Sequence, residues 1–349
     1  MNSKEIKDYL KKQIDKYTEM IADSGAGLAQ IISNGDLDTV KYLLNKIEEK
    51  KIKSKHFDIN TAIIGLSNTF GKTDIVKYML DNGIIKTIYF SALLKQKRYF
   101  PFYNRLVKLF KDNNLSCEFL GETKDIWMRD FMPIKSMDGK YIQFDYHPIY
   151  LKKYPKYITD GSLIAKKLGI ETIKTDIKLD GGNFVCYNGK AIITSRIFKE
   201  NSQYKKENLI DKIKDLLKLN KIIIIEEDYD TYGHSDGMVR FVDDNTVLIN
   251  EYTKKHIKYK KKLTDALEKE GLKYIEIPST DNMTNAIGLY INYLQFDDVI
   301  IVPKFNIKND NNILISLYKI FGNKYKILQI DCTEIAKAGG VLNCISWQL

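Results

Sequence analysis

The chain is poor in the residues that build metal sites and disulfide frameworks. It holds four cysteines, at 117, 186, 332 and 344, and four histidines in 349 residues. No C-x-x-C pair occurs and the histidines are scattered, so neither a zinc site nor a disulfide scaffold is expected. No metal and no organic cofactor is called for. Long apolar runs are also missing. No stretch of 18 apolar residues occurs, and no membrane span is expected. The opening run, Met1 to Leu10, is charged and amphipathic and lacks the apolar segment of a secretory signal. The expected compartment is the cytoplasm.

What is present is ample apolar material, 44% of the chain, in a length that suits one large domain or two smaller ones. The net charge is +10. A basic balance can signal nucleic-acid binding. Here the lysines alternate with acidic residues along helical stretches, and the run from Lys254 to Lys262 reads as the solvated face of a helix. No nucleic-acid partner is expected. Cys117, Cys186 and Cys332 sit in apolar, strand-like runs and read as inert core residues. Cys344 differs, because it follows Gly339-Gly340 and a polar Asn343.

Residues 1–85 are helical in pattern and carry a repeat. Gly35-Asp36-Leu37-Asp38-Thr39-Val40-Lys41-Tyr42-Leu43-Leu44 returns as Gly71-Lys72-Thr73-Asp74-Ile75-Val76-Lys77-Tyr78-Met79-Leu80. Val40, Leu43 and Leu44 share one helical face, as do Val76, Met79 and Leu80. Asn34-Gly35 and Asn82-Gly83 read as turns. The segment resembles the second helix of ankyrin repeats, with only two units. A protein partner for residues 1–85 is one reading.

Residues 86–349 show a longer period. Tight turns fall at Asp138-Gly139, Asn188-Gly189, Asp243-Asp244 and Asp297-Asp298, each between apolar runs. Helical stretches follow at 160–168, 204–219, 256–270 and 310–321. Strands then follow at 171–175, 221–226, 273–278 and 324–330. A first, degenerate unit covers 87–120. Five units of about 50 residues suggest radial, blade-like repetition. Equivalent positions of such units meet at a common axis.

Four polar motifs sit at the start of a hairpin or at the final strand. They are Trp127-Met128-Arg129-Asp130, Asp180-Gly181-Gly182-Asn183, Gly233-His234-Ser235-Asp236 and Gly339-Gly340-Val341-Leu342-Asn343-Cys344. Together they supply a thiol, an imidazole and several carboxylates. A thiol becomes a nucleophile when ionised, and an imidazole moves protons near neutral pH. Paired carboxylates suit a planar cation with two hydrogen-bonding edges, which is a guanidinium.

In family order and with matching distances, these motifs resemble the agmatine deiminase and bacterial peptidylarginine deiminase family of the guanidino-group-modifying (pentein) superfamily. Trp127 to Pro133 is similar to W-x-R-D-x-G-P, with Met132 in place of Gly. Gly233 to Asp236, followed by Arg240-Phe241, is similar to G-H-x-D. Tyr290-Ile291-Asn292-Tyr293 matches a tyrosine- and asparagine-bearing strand, and Ala338 to Gln348 matches G-G-G-x-I-H-C-x-T-Q, with Asn343 in place of His. The chain stops five residues after Cys344. These departures concern the substrate pocket more than the chemical groups.

The resemblance implies a five-bladed α/β propeller over residues 86–349, preceded by the ankyrin-like helices. It implies Cys344 as nucleophile, His234 as acid and base, and Asp130 and Asp236 as holders of the guanidinium edges. His234 and Asp236, two apart on an expected strand, would share a face. Asp180, Trp127, Asn292 and Gly340 are expected to bind substrate, and Arg129 to be structural. The implied reaction is hydrolysis of agmatine to N-carbamoylputrescine and ammonia through a covalent thiouronium. One alternative is a peptidylarginine or free-arginine deiminase giving citrulline. Another is a non-catalytic binding protein acting through its ankyrin-like part.

Overall fold

The computed structural model describes residues 3–54, 59–81, 87–113, 115–228, 233–280 and 285–348. The chain divides into two compact units. One holds Met1–Ile88, Phe110–Cys117 and Gln348–Leu349, and the other Tyr89–Leu109 and Glu118–Trp347.

The first unit is built from helices α1 (Ser3–Ala22), α2 (Gly25–Asn34), α3 (Leu37–Glu49), α4 (Ile59–Thr69) and α5 (Thr73–Asp81). Side-chain caps start two of them: Ser24 accepts from the Gly27 amide and Asp36 from the Thr39 amide, satisfying backbone donors that a helix leaves open. The internal repeat becomes α3 and α5. Val40, Leu43 and Leu44 of α3 are buried, as are Ile75 and Met79 of α5. The side chains of Val76 and Leu80, and the turn at Asn82-Gly83, lie outside the described residues. Lys72 Nζ donates to the Gly35 carbonyl at 3.0 Å, joining the entries of the two repeats.

The second unit alternates strands and helices. After β1 (Ile88–Ser91), α6 (Phe100–Asp112) and β2 (Cys117–Leu120), a one-turn helix α7 (Met128–Phe131) leads into β3 (Ile134–Lys135) and β4 (Tyr141–Gln143). Helix α8 (Gly161–Lys167) and β5 (Thr172–Lys174) complete that sheet. The pattern returns as β6 (Val185–Tyr187), β7 (Lys190–Thr194), α9 (Arg196–Glu200), α10 (Lys206–Leu217) and β8 (Lys221–Ile225). It returns again as β9 (Val239–Phe241), β10 (Thr246–Asn250), α11 (Ile257–Lys269) and β11 (Lys273–Ile277). The last full copy is β12 (Leu294–Phe296), β13 (Val299–Lys304), α12 (Asn309–Phe321) and β14 (Lys326–Asp331). Helix α13 (Thr333–Ala336) and β15 (Ser346–Gln348) end the chain, and β15 joins β1 and β2 in one sheet.

The described residues thus form a mixed α/β fold with five three-stranded sheets. In the four full copies the first two strands are an antiparallel hairpin and the third pairs parallel with the second. The expected turns sit at the hairpin tips. Asn188 (φ 45°) and Gly189 (φ 74°) show why Asn-Gly marks such a tip, since both central positions of a two-residue hairpin turn need positive φ.

The middle strand of each full copy is paired on both sides, and those of the last three are the most apolar. Val299, Ile300, Ile301 and Val302 of β13 are all buried, as expected of strands covered on both faces. The expectation of three buried cysteines holds for Cys332 only; Cys117 is half-buried and Cys186 is exposed. Cys186 lies on β6, an edge strand whose residues turn outward after the buried Val185.

Replacement of Ile301, fully buried between Leu294 and Leu328 of its neighbouring strands, should cost about 2–5 kcal/mol as Ile301→Ala. The same truncation at Ile315, 55% exposed on α12, should stay within about 0.5 kcal/mol. Urea unfolding of the two variants checks this, and equal losses would show that β13 is not core.

Candidate active site

Each polar motif occupies the same place in its repeat, a single helical turn just before the first strand of a hairpin. The turns are α7 before β3, Gly181–Asn183 before β6, Ser235–Gly237 before β9 and Tyr290–Asn292 before β12. Cys344 lies in the turn before β15. The expected strand placement of His234, Asp236 and Asn292 is therefore corrected. The Gly237 amide bonds to the His234 carbonyl and the Met238 amide to the Ser235 carbonyl, closing a tight turn that period-two strand geometry does not describe. The side chains still meet, because the turn is short and its polar residues point to one centre.

Asn183 helps to hold that centre. Its Oδ1 accepts from the backbone amides of Thr194, at 2.9 Å, and Ser235, at 3.3 Å. The Thr194 hydroxyl donates to the Gly233 carbonyl at 2.8 Å. The end of β7 thereby grips the segment that carries His234.

His234 is buried among carboxylates. Its Nε2 is 3.0 Å from Asp180 Oδ2 and its Nδ1 is 3.5 Å from Asp130 Oδ1. Asp130 Oδ1 also accepts from the Gly182 amide at 3.0 Å. A Cβ on Gly182 would fall 2.5 Å from that oxygen and 2.7 Å from His234 Nδ1, so only glycine lets the backbone come so close. Asp180 Oδ2 takes a second bond, 2.8 Å, from the Tyr150 hydroxyl. Asp180 was expected to bind substrate. Its Oδ2 contacts in the structure are with His234 and Tyr150.

Asp236 anchors the other side. Its Oδ2 accepts from Asn343 Nδ2 at 2.7 Å and Asn292 Nδ2 at 3.0 Å, and lies 3.7 Å from Cys344 Sγ. Asn292 Oδ1 accepts from the Cys344 amide at 3.3 Å. Asn292 therefore orients Asp236 and the cysteine turn. Arg129, expected to be structural, bonds to the backbone of the cysteine turn: its amide donates to the Cys344 carbonyl and its Nε to the Asn343 carbonyl. Trp127 borders the cysteine. A Cβ on Gly340 would lie 2.5 Å from the Trp127 ring and 3.1 Å from Cys344 Cβ, so Gly340 is the surface on which the two meet.

The charges are strongly coupled. Burial works against the His234 imidazolium, but Asp130 and Asp180 overcome it and raise the group to about 10. Burial pushes the Asp130 carboxyl up to about 8; His234 opposes that rise, and the neighbouring Asp180 and Asp236 reinforce it. Burial, then Asp236 and Asp130, push the Cys344 thiol well above the ordinary thiol range. The site thus favours a protonated imidazole and a neutral thiol, set among three buried carboxyl groups. Such a cluster accepts a cation. Among the described residues, no group of three or more His, Cys, Asp or Glu side chains could hold a metal ion.

Sequence reasoning singled out Cys344, His234, Asp130, Asp236, Asp180, Trp127, Asn292 and Gly340, and the structure brings all of them to one locus. It missed Tyr150, which lies in a short 3-10 turn, Ile149–Leu151, within a stretch rich in Tyr and Lys where no spacing marks it. It also gave no role to Asn183, Arg240 or the Asn343 side chain, although all three stand inside or beside the quoted motifs.

The repeated strand-helix units and this constellation define the class as the pentein fold. The chain belongs to the family of Porphyromonas-type peptidyl-arginine deiminases, whose model matches residues 102–349. Two relatives carry the name putative agmatine deiminase. The one from Streptococcus mutans is 26% identical over 230 residues, covering 54% of this chain and 62% of its own length. The one from Photobacterium profundum is 24% identical over 274 residues, covering 65% and 75%. The match thus spans less than two thirds of the first relative. Among solved structures, C. jejuni agmatine deiminase with substrate bound superposes with a TM-score of 0.63 at 21% identity, over 75% of this chain and 92% of that one. A protein from Porphyromonas gingivalis named putative arginine deiminase gives 0.60 at 18%, over 75% and 95%. At these identities the likeness concerns the fold.

The histidine titration is directly testable. Asp180→Asn removes a charge that holds the proton on His234. The His234 midpoint should then fall by at least ~1 pH unit, as read by NMR of ring carbons labelled in the four histidines. An unchanged midpoint would show that Asp180 does not set the imidazole's charge.

Proposed function

We propose that the chain is a deiminase that hydrolyses a guanidinium through a covalent adduct on Cys344, with agmatine as substrate. The observation that carries this reading is the placement of Cys344 Sγ, 3.7 Å from Asp236 Oδ2, beside an imidazole held by Asp130 and Asp180. The five sheets are read as blades of a five-bladed propeller, with the site where their leading turns converge and β15 completing the first blade.

Asp130 and Asp236 take the two edges of the substrate guanidinium. Burial, then Asp236 and Asp130, keep the Cys344 thiol protonated; the arriving cation offsets the carboxylates, and the thiol gives its proton to solvent where the substrate is bound. The thiolate attacks the central carbon and a tetrahedral adduct forms. His234, already an imidazolium, gives its proton to the departing nitrogen. The carbon–nitrogen bond breaks, ammonia leaves and a thiouronium remains on sulfur. The neutral His234 then takes a proton from water as its oxygen adds to the same carbon. The carbon–sulfur bond breaks as the hydroxyl proton passes to the departing sulfur, releasing the ureido product and restoring the Cys344 thiol. Asp180 and Tyr150 hold the imidazole in register throughout.

Agmatine is favoured because the arginines near the site are engaged within the protein. Arg129 binds the Asn343 carbonyl, Arg240 binds Asn343 Oδ1, and Arg196 pairs with Glu200 and Glu227. A substrate carboxylate would find no ready clamp among them, whereas a second cation suits the excess of acid. The family name supports a second reading, arginine within a peptide, with residues 1–85 recruiting the protein that bears it.

Ammonia release should be measured with agmatine, free arginine and an arginine-capped peptide, with Cys344→Ala as control. Turnover of agmatine, abolished in the variant, is expected. Turnover of the peptide alone would replace the first reading by the second, and silence on all three would reject deimination of these classes.

The pH profile is a separate test. Guanidinium binding uses the ionised form of Asp130, whose carboxyl is pushed up to about 8. Below that pH the carboxyl holds a proton that the substrate must displace, so kcat/KM for agmatine should climb with pH and level off above about 8. A profile already flat from the usual carboxylate range upward would show that Asp130 is not the titrating clamp.

A further inference from the structure

Resting on the reading of Asp236 as a guanidinium clamp, we infer that Arg240, acting through the uncharged amide of Asn343 as a relay, positions Asp236, with Asn343 standing as a non-titrating substitute for a histidine.

Asn343 is buried, and its amide has one admissible orientation. Nδ2 donates to Asp236 Oδ2 at 2.7 Å and Oδ1 accepts from Arg240 Nη1 at 2.9 Å. A flipped amide would set its carbonyl against a carboxylate and its amino group against a guanidinium, donor against donor. The two charged neighbours therefore lock the side chain between them. Arg240 is itself fixed on β9, with its guanidinium 4.7 Å above the Tyr293 ring.

The backbone of Asn343 is held as firmly. Its amide donates to the Asn292 carbonyl at 3.1 Å, and its carbonyl accepts from Arg129 Nε and the Ser346 hydroxyl. The relay thus ends at a rigid point one residue from Cys344. Asn292 and Asn343 together place both their donors on Oδ2 of Asp236. Neither amide bonds to Oδ1, and that oxygen is the one available for a substrate N–H.

The charged and titratable groups around Asp236 are Arg129, Arg240, His234, Asp130 and Cys344. A histidine at 343, the residue in the family pattern, would accept from Arg240 and donate to Asp236 when neutral. Once protonated it would present a donor to Arg240, cation against cation. Asparagine makes the same two bonds at every pH. This makes Asn343 a positioning residue whose chemistry a pH profile can expose.

Two substitutions push in opposite directions. Asn343→Asp keeps the shape but sets two carboxylates in contact, so the pair holds a shared proton that mimics the amide donor. Its kcat/KM should approach wild type at acid pH and fall at least tenfold as that proton leaves, moving the alkaline limb down in pH. Asn343→His should match wild type within about threefold at alkaline pH and lose activity as the imidazole protonates, moving the acid limb up. Asn343→Ala, which deletes a hydrogen bond to a charged group, should lower kcat/KM roughly 10- to 100-fold at all pH.

Labelling of Cys344 gives a readout that does not need turnover. Its thiolate displaces chloride from chloroacetamidine, a cation, or from chloroacetamide, a neutral isostere, and mass spectrometry follows both. The ratio of the two rates reports recruitment of the cation by Asp236. It should fall in Asn343→Ala and Arg240→Gln and shift with pH as above in the other two variants. Wild-type enzyme that labels with a high cation ratio but turns over no guanidine would reject the proposed reaction and keep the relay. Limbs and ratios that do not move in the Asp and His variants, in protein whose melting temperature is unchanged, would overturn the relay.

Discussion

The site depends on the cost of crowding carboxylates in a place that water scarcely reaches. Asp130, Asp180 and Asp236 are each less than a tenth exposed, and His234 is placed between two of them. Isolated buried charges are expensive, and a protein normally neutralises them by pairing or protonation. Here His234 pairs with Asp180 and Asp130, while Asp130 holds on to its own proton. In the proposed reaction a bound guanidinium would complete this pairing. Burial first, and then Asp236 and Asp130, hold the Cys344 thiol well above the ordinary thiol range, and a neutral thiol is the less reactive form.

Fixing so many acids at one point requires supports that carry no charge of their own. The chain uses amides. Asn183 spans two turns through one oxygen, while Asn292 and Asn343 place their amino groups on one oxygen of Asp236. Each offers donor and acceptor without adding to the electrostatic load. The arginines stay one step back. Arg240 reaches Asp236 only through Asn343, and Arg129 binds carbonyls. A direct arginine–carboxylate pair at Asp236 would occupy the groups that a guanidinium substrate needs.

Much of this was legible in the sequence because the fold repeats. Tight turns at similar intervals place hairpins, and the run after each hairpin is a helix followed by a parallel strand, so element order and spacing could be read directly. The chemical residues were legible for a related reason: each stands at the head of a repeat, where a glycine-rich turn interrupts the apolar pattern. What could not be read was the conformation of those turns. Gly-His-Ser-Asp before Gly-Met-Val-Arg-Phe reads as the start of a strand, yet the backbone closes a single turn first. That closure depends on the Asn183 and Thr194 contacts from the preceding repeat. Long-range partners of this kind leave no local trace.

Tyr150 marks the same limit from another side. Nothing in Pro148-Ile149-Tyr150-Leu151-Lys152 sets that tyrosine apart from its neighbours. Its role arises only because the loop returns across the site and brings the hydroxyl to Asp180, with Arg196 over its ring at 5.3 Å. Arg196 is in turn held by Glu200 and Glu227. A line of alternating charge therefore runs from Glu227 through Arg196 and Tyr150 to Asp180 and His234. The inner end of that line is buried, where electrostatic interactions weaken least with salt. The outer end, at Glu227 and the exposed Lys199, is open to screening. The carboxylates around His234, Asp130 and Asp180 first, favour its charged form against burial.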